Sequence, residues 1–153
     1  MAVWTVYLSI CLLVALNASV ETRHVENKDC GGNALSLDGF FMSPVPMTWS
    51  DSRRFCINHG GDLVIIKSVE KQRLVSSLVR EKMHVSVWIG LNDLEIEGNM
   101  KWVDNTPLNQ GFWMSGEPNN NDGNEDCVIM NPIPNLGNWN DIPCLDKSTV
   151  LCE

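Results

Sequence analysis

Residues 117–130 have the sequence EPNNNDGNEDCVIM, a dense run of amide and carboxylate side chains that ends in a short apolar segment. Its polar part belongs to a longer stretch, residues 104–126, which is rich in Asn, Gly, Asp and Pro and has no apolar period. Irregular loops of this length in compact domains are usually functional or disordered. Phe112 and Trp113 lie inside the stretch and need a buried environment, which favours an ordered, functional loop.

The segments around this loop predict two helices followed by short strands. One helix is expected at residues 48–59, capped by Thr48, and a second runs from the cap Ser68 to about residue 80. In the second helix, four apolar residues predict a stripe that packs on a sheet: Leu74, Val75, Leu78 and Val79. Strands are predicted at residues 62–66, 85–91, 101–103, 127–130, 138–141 and 149–152. Helices first and strands after them indicate an α+β fold.

Length and charge limit the function classes. The chain has 153 residues, which suits one domain, and a formal net charge of −8. A surface of that sign repels phosphate backbones, so we expect no nucleic-acid partner, whereas it suits cations such as calcium.

The N-terminal residues predict a secreted protein. Residues 1–18 are interpreted as a signal peptide, because an uncharged, mostly apolar run there has the length of a signal-peptide core and is too short to span a bilayer. Residues 19–29 then form a short polar tail, and residues 30–153 form the domain. We therefore expect an extracellular protein without a membrane span, and a retained N-terminal anchor is the alternative.

Oxygen-bearing side chains concentrate in three groups, which suggests a divalent cation site. Calcium takes six to eight oxygen ligands from carboxylates, amide carbonyls and water. The alternative is that Asn and Asp only form turns here. The spacing does not match an EF-hand. The groups are Glu117, Asn119, Asn120, Glu125 and Asp126, then Asn140 and Asp141, and upstream Asp93, Glu95 and Glu97.

Four short motifs in this order and spacing resemble the C-type lectin domain: Trp88-Ile-Gly-Leu91, Glu117-Pro-Asn119, Glu125-Asp-Cys127 and Trp139-Asn-Asp141. The resemblance extends over residues 30–153. It implies two helices and small antiparallel sheets with a long calcium-binding loop. It also implies disulfides joining Cys56 to Cys152 and Cys127 to Cys144, with Trp88 and Trp139 in or near the core.

The resemblance also assigns ligands. It places a sugar-binding calcium ion, which two vicinal sugar hydroxyls reach by replacing water, at Glu117, Asn119, Glu125, Asn140 and Asp141, and a cis proline at Pro118. The Glu-Pro-Asn triplet is the one the family uses for mannose, fucose and N-acetylglucosamine, whereas galactose binders carry Gln-Pro-Asp. An auxiliary calcium ion is expected at Asp93, Glu97, Asn120, Glu125 and Asp126. Asn120 stands where some members carry Asp, which should weaken that second site.

Cys11 lies in the predicted signal peptide, so the disulfide pairing leaves Cys30 over in the mature chain. Members with an N-terminal hairpin often carry a cysteine pair there, but Phe40 and Phe41 stand where the partner of Cys30 would be. Cys30 is therefore expected to be unpaired within the chain. It is either free or the link in a disulfide-bonded homodimer.

Two other functions were weighed against a mannose-type lectin. A lectin-like module that meets a protein or mineral surface without sugar is the alternative. An enzyme is not expected, because Glu117 and Asp141 are better explained as metal ligands than as a catalytic acid and base. Since protons compete with calcium for carboxylates, acidification toward about pH 5 is expected to weaken sugar binding.

Overall fold

The computed structural model describes residues 35–37 and 39–153. The predicted signal peptide, the polar tail and Cys30 lie outside the described residues. The chain enters through strands β1, Leu35–Leu37, and β2, Phe40–Met42, and continues through helices α1, Trp49–Asn58, and α2, Val69–Leu78. The remaining strands are β3, Val87–Asn92, β4, Lys101–Trp102, β5, Cys127–Met130, β6, Trp139–Ile142, and β7, Thr149–Cys152. This arrangement confirms the α+β prediction.

Both helices begin at the predicted caps. The Thr48 hydroxyl accepts the backbone N–H of Asp51 at 3.3 Å, and the Ser68 hydroxyl accepts that of Lys71 at 3.2 Å. Each cap satisfies one of the free donors at a helix start, which explains why these residues mark the boundary. Helix α2 ends at Leu78 and continues as a π-helical turn, Val79–Met83. No helix in the described residues has the length and apolar character needed to cross a membrane.

The predicted apolar stripe of α2 is only partly right. Val75 and Val79 are fully buried, but Leu74 is 53% exposed. The inward face instead contains Gln72, which is fully buried, and Ser76, which is 8% exposed. Residues 72, 75, 76 and 79 follow the i, i+3, i+4, i+7 spacing of one helix face. Pattern reasoning excluded Gln72 and Ser76 because they are polar, although buried polar groups are tolerated where they find hydrogen-bond partners.

The described strands form one sheet in the order β1-β2-β7-β3-β5-β6, with β4 paired to β3. Within the described part of the chain the pairs are antiparallel, except for β3 with β7. Strands β5 and β7 have the predicted bounds. Strand β3 begins two residues later than predicted and β6 one residue later, while β4 is one residue shorter.

The strand predicted at residues 62–66 is wrong. The segment forms a single bridge, Leu63 to Cys152, although Leu63, Val64 and Ile66 are fully buried. Its backbone is shared between two strands: the N–H of Val64 donates to Leu151 O at 3.1 Å, and Val64 O accepts from Gly90 N at 2.8 Å. The apolar residues of this segment correctly indicated that it is buried. It does not form a regular strand, because its backbone hydrogen bonds are divided between β3 and β7.

The N-terminal hairpin was not predicted. Strand β1 pairs with β2, and β2 pairs with β7 through Phe41 opposite Cys152. Phe40 is buried, at 6% exposure. The hairpin therefore closes one end of the sheet with an aromatic residue at a position where the resemblance led us to look for a cysteine.

The core is built on tryptophan, as expected for Trp88 and Trp139, which are both fully buried. Three aromatic rings lie edge-on to Trp139, with ring centroids at 5.7 Å for Trp102, 5.3 Å for Phe112 and 5.7 Å for Trp113. Edge-to-face contacts of this kind add to the free energy gained by burial. Phe112 and Trp113 belong to the long loop, so the core anchors that loop directly.

Both predicted disulfides are present. Cys56 of α1 is joined to Cys152 of β7, with Cα atoms 5.5 Å apart, and Cys127 of β5 is joined to Cys144, at 5.1 Å. Such cross-links typically stabilise a fold by about 2–4 kcal/mol each. The first ties a helix to the last strand, and the second fixes the point where the chain leaves the long loop.

The exposures of neighbouring residues on α2 lead to a stability prediction. Val75→Ala removes two buried methyl groups and should lower the free energy of unfolding by about 2 kcal/mol. Leu74→Ala, the matched control, should change it by about 0.5 kcal/mol or less. Urea denaturation followed by tryptophan fluorescence measures both. Equal losses for the two variants would contradict the observed orientation of the helix.

Candidate functional site

The long loop between β4 and β5 brings the predicted ligands to one end of the sheet. The Glu117–Pro118 peptide bond is cis, as the resemblance implies. The turn before it is closed by the N–H of Glu117, which donates to Met114 O at 3.1 Å. Met114 N in turn donates to Trp139 O at 2.9 Å, so the loop is bonded to β6 just before Asn140 and Asp141.

Asp141 holds the segment after the cis proline. Its Oδ1 accepts the backbone N–H of Asn119 at 3.2 Å, and its Oδ2 accepts that of Asn120 at 2.8 Å. Asp141 itself is 1% exposed. A buried carboxylate that accepts two backbone N–H groups is strongly oriented. These bonds bring the Glu117 segment against β6 although more than twenty residues separate them in the chain.

A second set of hydrogen bonds closes the polar turn on itself. Glu125 N donates to Asn120 Oδ1 at 3.0 Å, and Asn121 N donates to Glu125 Oε2 at 2.7 Å. Asn120 adopts a left-handed backbone, with φ 43°. Asn tolerates this conformation better than most residues, which explains an amide at this corner. The bonds bring together Asn119, Asn120, Glu125 and Asp141.

Glu117 lies among negative charges, which a side-chain hydrogen bond with Asn119 opposes only in part. Its Oε2 is buried and has no hydrogen-bond partner among the described residues. Burial raises the pKa of Glu117 above its ordinary value, and the neighbouring carboxyl of Asp141 and the charge of Glu125 raise it further. A buried, unpartnered carboxylate oxygen is costly, and a bound cation is one of the few ways to satisfy it.

The donor set fits calcium only when amide oxygens are counted. In the described part of the chain, no three acidic, histidine or cysteine side chains converge closely enough to hold a metal ion by themselves. Calcium also takes amide carbonyl oxygens as ligands beside carboxylates. An ion here would therefore need Asn119 and Asn140 beside Glu117, Glu125 and Asp141. Asn140 is half-buried and is linked to this group through its neighbour Asp141 in β6.

The residues assigned to the auxiliary ion form a second acidic group. Asp93, just after β3, is 3% exposed, and its Oδ2 accepts Gly98 N at 2.9 Å. Its Oδ1 is buried without a partner among the described residues. Burial raises the pKa of Asp93, the hydrogen bond from Gly98 opposes this, and the charges of Glu97 and Asp126 add to the rise. Asp93 N donates to Asp126 O at 3.1 Å, which joins the two segments.

Glu95 differs from its acidic neighbours. It forms an ion pair with Lys101, and its side chain is 70% exposed.

Sequence reasoning missed the polar residues that support the site from below. Gln72 Oε1 accepts the indole N–H of Trp139 at 3.0 Å, and Gln72 Nε2 donates to Asn138 Oδ1 at 2.8 Å and to Leu136 O at 2.7 Å. Asn138 is fully buried, and its Nδ2 donates to Asn131 O at 3.0 Å. The sequence did contain one indication of this role: Gln72 lies three residues before Val75, on the same buried face of α2. This network fixes the start of β6 at Trp139, directly before Asn140.

The chain matches a known family over most of its length. The family described as Lectin C-type domain matches residues 45–153. The mouse protein "C-type lectin domain family 4 member E" is 40% identical over 118 residues, which are 74% of this chain and 54% of that protein. The human protein "C-type lectin domain family 17, member A" is 37% identical over 146 residues, 92% of this chain and 35% of that protein.

Solved structures agree with the fold. The mouse scavenger receptor C-type lectin carbohydrate-recognition domain superposes with a TM-score of 0.66 at 29% identity, covering 80% of this chain and 94% of that chain. The cow CD23 carbohydrate-recognition domain, solved in the presence of a GlcNAc2Man3 oligosaccharide, gives 0.65 at 32% identity, covering 81% and 94%. The chain therefore belongs to the C-type lectin domain family. It spans about half of the mouse relative and about a third of the human one.

The crowding around Glu117 predicts opposite effects of one substitution with and without calcium. In chelator at pH 7, Glu117→Gln should raise the melting temperature, because it removes a partly buried charge that Asp141 and Glu125 repel. In calcium, the same change should remove part of the stabilisation by the ion. Thermal unfolding under both conditions measures the two shifts.

The pH dependence gives an internal check on this prediction. Because the pKa of Glu117 is raised in the folded protein, the cost of its charge is present above that pKa and fades as the pH falls below it. The advantage of the variant in chelator should therefore shrink toward pH 4. Glu95→Gln, at an exposed ion-paired carboxylate, should show neither effect. A Glu117→Gln protein that is less stable than its parent in chelator would contradict the uncompensated charge.

Proposed function

We propose that this chain is a calcium-dependent lectin that binds mannose, fucose or N-acetylglucosamine through two vicinal hydroxyls. The proposed ligands of the ion and of the sugar are Glu117, Asn119, Glu125, Asn140 and Asp141. The observation that carries the proposal is the buried Oε2 of Glu117, which lacks a partner among the described residues and lies beside two further carboxylates. Membership of the family and the similarity to the cow CD23 domain support it.

The chain's own side chains would divide the work of recognition. Calcium, when bound, would supply positive charge and open coordination positions for the two hydroxyl oxygens. Glu117 and Glu125 accept hydrogen bonds from sugar hydroxyls, and the amide of Asn119 donates to them. Hydrogen bonds to charged groups contribute about 1.5–3 kcal/mol each. The hydrogen bonds from Asn119 N and Asn120 N to Asp141 hold these groups in place before the sugar arrives.

The order of the triplet sets the proposed specificity. Glu117 and Asn119 flank Pro118 in the sequence, and in the proposed site they would offer one acceptor and one amide donor to the hydroxyl pair. A Gln-Pro-Asp triplet would place the amide donor first and the carboxylate acceptor second. That order would suit the hydroxyl pair of galactose. Secretion, and glycans on microbial or host cell surfaces as targets, complete the proposal. A Cys30-linked homodimer would offer the two sites that weak single-site binding to such surfaces requires.

The first test is retention of the purified, disulfide-bonded protein on a mannose resin. Retention in calcium, release by chelator and elution by free mannose are expected. No retention, together with a calcium-dependent rise in melting temperature, would overturn the sugar assignment and favour a protein or mineral partner. The absence of any calcium response would overturn the whole ligand set.

The specificity is tested by the double variant Glu117→Gln, Asn119→Asp, which keeps the net charge unchanged. It should lose retention on mannose resin and gain retention on galactose resin in calcium. Glu95→Gln serves as the control and should behave like the parent protein. Continued preference of the double variant for mannose would contradict the role of the triplet.

We also propose a weaker auxiliary calcium site at Asp93, Glu97, Asn120, Glu125 and Asp126. The buried Oδ1 of Asp93, unpartnered among the described residues, and the charges of Glu97 and Asp126 around it support this second position. The single neutral member, Asn120, leaves it less negative than a site with Asp there.

Calorimetric titration with calcium tests the auxiliary site. Two binding events are expected, of which the weaker should disappear in Asp93→Asn and tighten in Asn120→Asp. The control is again Glu95→Gln, which should leave both events unchanged. A single event in the parent protein that Asp93→Asn does not affect would refute the second ion.

A further inference from the structure

A basic cavity lies between helix α2 with its π-helical turn and residues 134–136, and it shares no lining residue with the acidic loop. Its volume is about 310 Å³. This is at the lower end of the range for small-molecule sites and suits a ligand the size of one monosaccharide. The lining residues are Arg73, Ser76, Ser77, Arg80, Pro134, Asn135 and Leu136.

One wall of the cavity is helical. Arg73, Ser76 and Ser77 belong to α2, and Arg80 belongs to the π-helical turn that follows it. Two arginines and two serines therefore line this wall of the cavity. The opposite wall is the segment from Pro134 to Leu136, which presents an amide between two apolar side chains.

The charge of the cavity is opposite to that of the chain. The net charge of the protein is −8, yet both ionisable groups in the lining are arginines. Arg73 forms no ion pair within the described residues. Arg80 shares its charge with Glu81, at 2.8 Å, and Glu70 lies near enough to interact with Arg73. One guanidinium therefore keeps its hydrogen-bonding capacity in a concave site.

The opposite wall is held rigidly. Leu136 O accepts from the buried Gln72, and Asn135 Oδ1 accepts from Gly137 N at 3.3 Å. Ser76, on the helix side, is 8% exposed and accepts from Asn138 Nδ2 at 3.0 Å. Both walls thus belong to the same hydrogen-bonded network, so the cavity keeps its shape without a ligand.

We propose that this cavity binds the sulfate or phosphate ester of a monosaccharide-sized ligand, independently of calcium. Arginine offers paired N–H donors that match the oxygens of such a group. Asn135 supplies a further donor, and Pro134 and Leu136 supply apolar surface for the rest of the ligand. The proposal stands apart from the sugar site, which requires a cation and a pair of neutral hydroxyls.

The test uses N-acetylglucosamine 6-sulfate, N-acetylglucosamine 6-phosphate and unmodified N-acetylglucosamine as probes, with the full protein in chelator. Amide chemical shifts in nuclear magnetic resonance titrations measure binding. One or both esters should bind, with an affinity that falls as salt is raised, and the unmodified sugar should not. The stronger of the two esters identifies the preferred group.

Variants locate the binding. The double variant Arg73→Gln, Arg80→Gln should bind the esters about ten-fold or more weakly. Arg54→Gln, at an exposed arginine paired with Asp51, should bind like the parent protein. Asn135→Asp adds a carboxylate from the opposite wall and should weaken binding without altering the helix. Undiminished ester binding by the double variant and by Asn135→Asp, or no ester binding by the parent protein, would overturn the proposal.

The result for the arginine cavity can be distinguished from the result for the calcium-dependent sugar site. Retention of the double arginine variant on mannose resin in calcium should equal that of the parent protein. Loss of mannose retention in the parent would leave the ester result intact, because the titrations are made in chelator.

Discussion

The hydrogen bond from the indole of Trp139 to Gln72 is the constraint on which the site depends. It joins helix α2 to the start of β6 inside a fully buried region, where an unpaired donor would be costly. The same indole ring receives Trp102, Phe112 and Trp113 edge-on. One side chain therefore fixes the helix, the sheet and the long loop relative to one another. Asn140 and Asp141 follow it directly, so two of the proposed ligands are attached to this buried, hydrogen-bonded residue.

This rigidity explains how an unfavourable arrangement of charge persists. Asp141 accepts two backbone N–H groups and is thereby held within reach of Glu117, although burial and repulsion raise the pKa of the latter. An isolated loop would relax by moving the carboxylates apart. Here two disulfides and the tryptophan core offset the repulsion, and the loop keeps oxygen atoms without partners. Functional sites commonly retain locally unfavourable interactions of this kind. If every polar atom of a site were hydrogen-bonded within the protein, none would remain to bind a ligand.

The sequence was most informative where local chemistry alone decides the outcome. Thr48 and Ser68 mark the helix starts because each cap acts within three residues, and β5 and β7 are continuous apolar runs. The segment at residues 62–66 has the same apolar signature, but its hydrogen bonds are shared between β3 and β7, which no local pattern reveals. Gln72 takes the inward place expected for Leu74 for a related reason: three of its hydrogen-bond partners, Leu136, Asn138 and Trp139, lie more than sixty residues away. The ligand motifs were visible in order, yet the unpartnered oxygens of Glu117 and Asp93 required the fold.

The charges of the chain are segregated by function rather than spread evenly. Lys67, Lys71 and Lys101 are held by acidic partners, so the surplus of acid is left in the long loop, where a cation would neutralise it. Arg73 lies apart from these pairs, in a cavity whose walls are tied to Gln72 through Leu136 and to Asn138 through Ser76. The polar network that holds the acidic site thus also shapes the basic one. The two sites take ligands of opposite charge. In the absence of calcium, the acidic loop would therefore repel a sulfated or phosphorylated glycan, whereas the arginine cavity would still bind it.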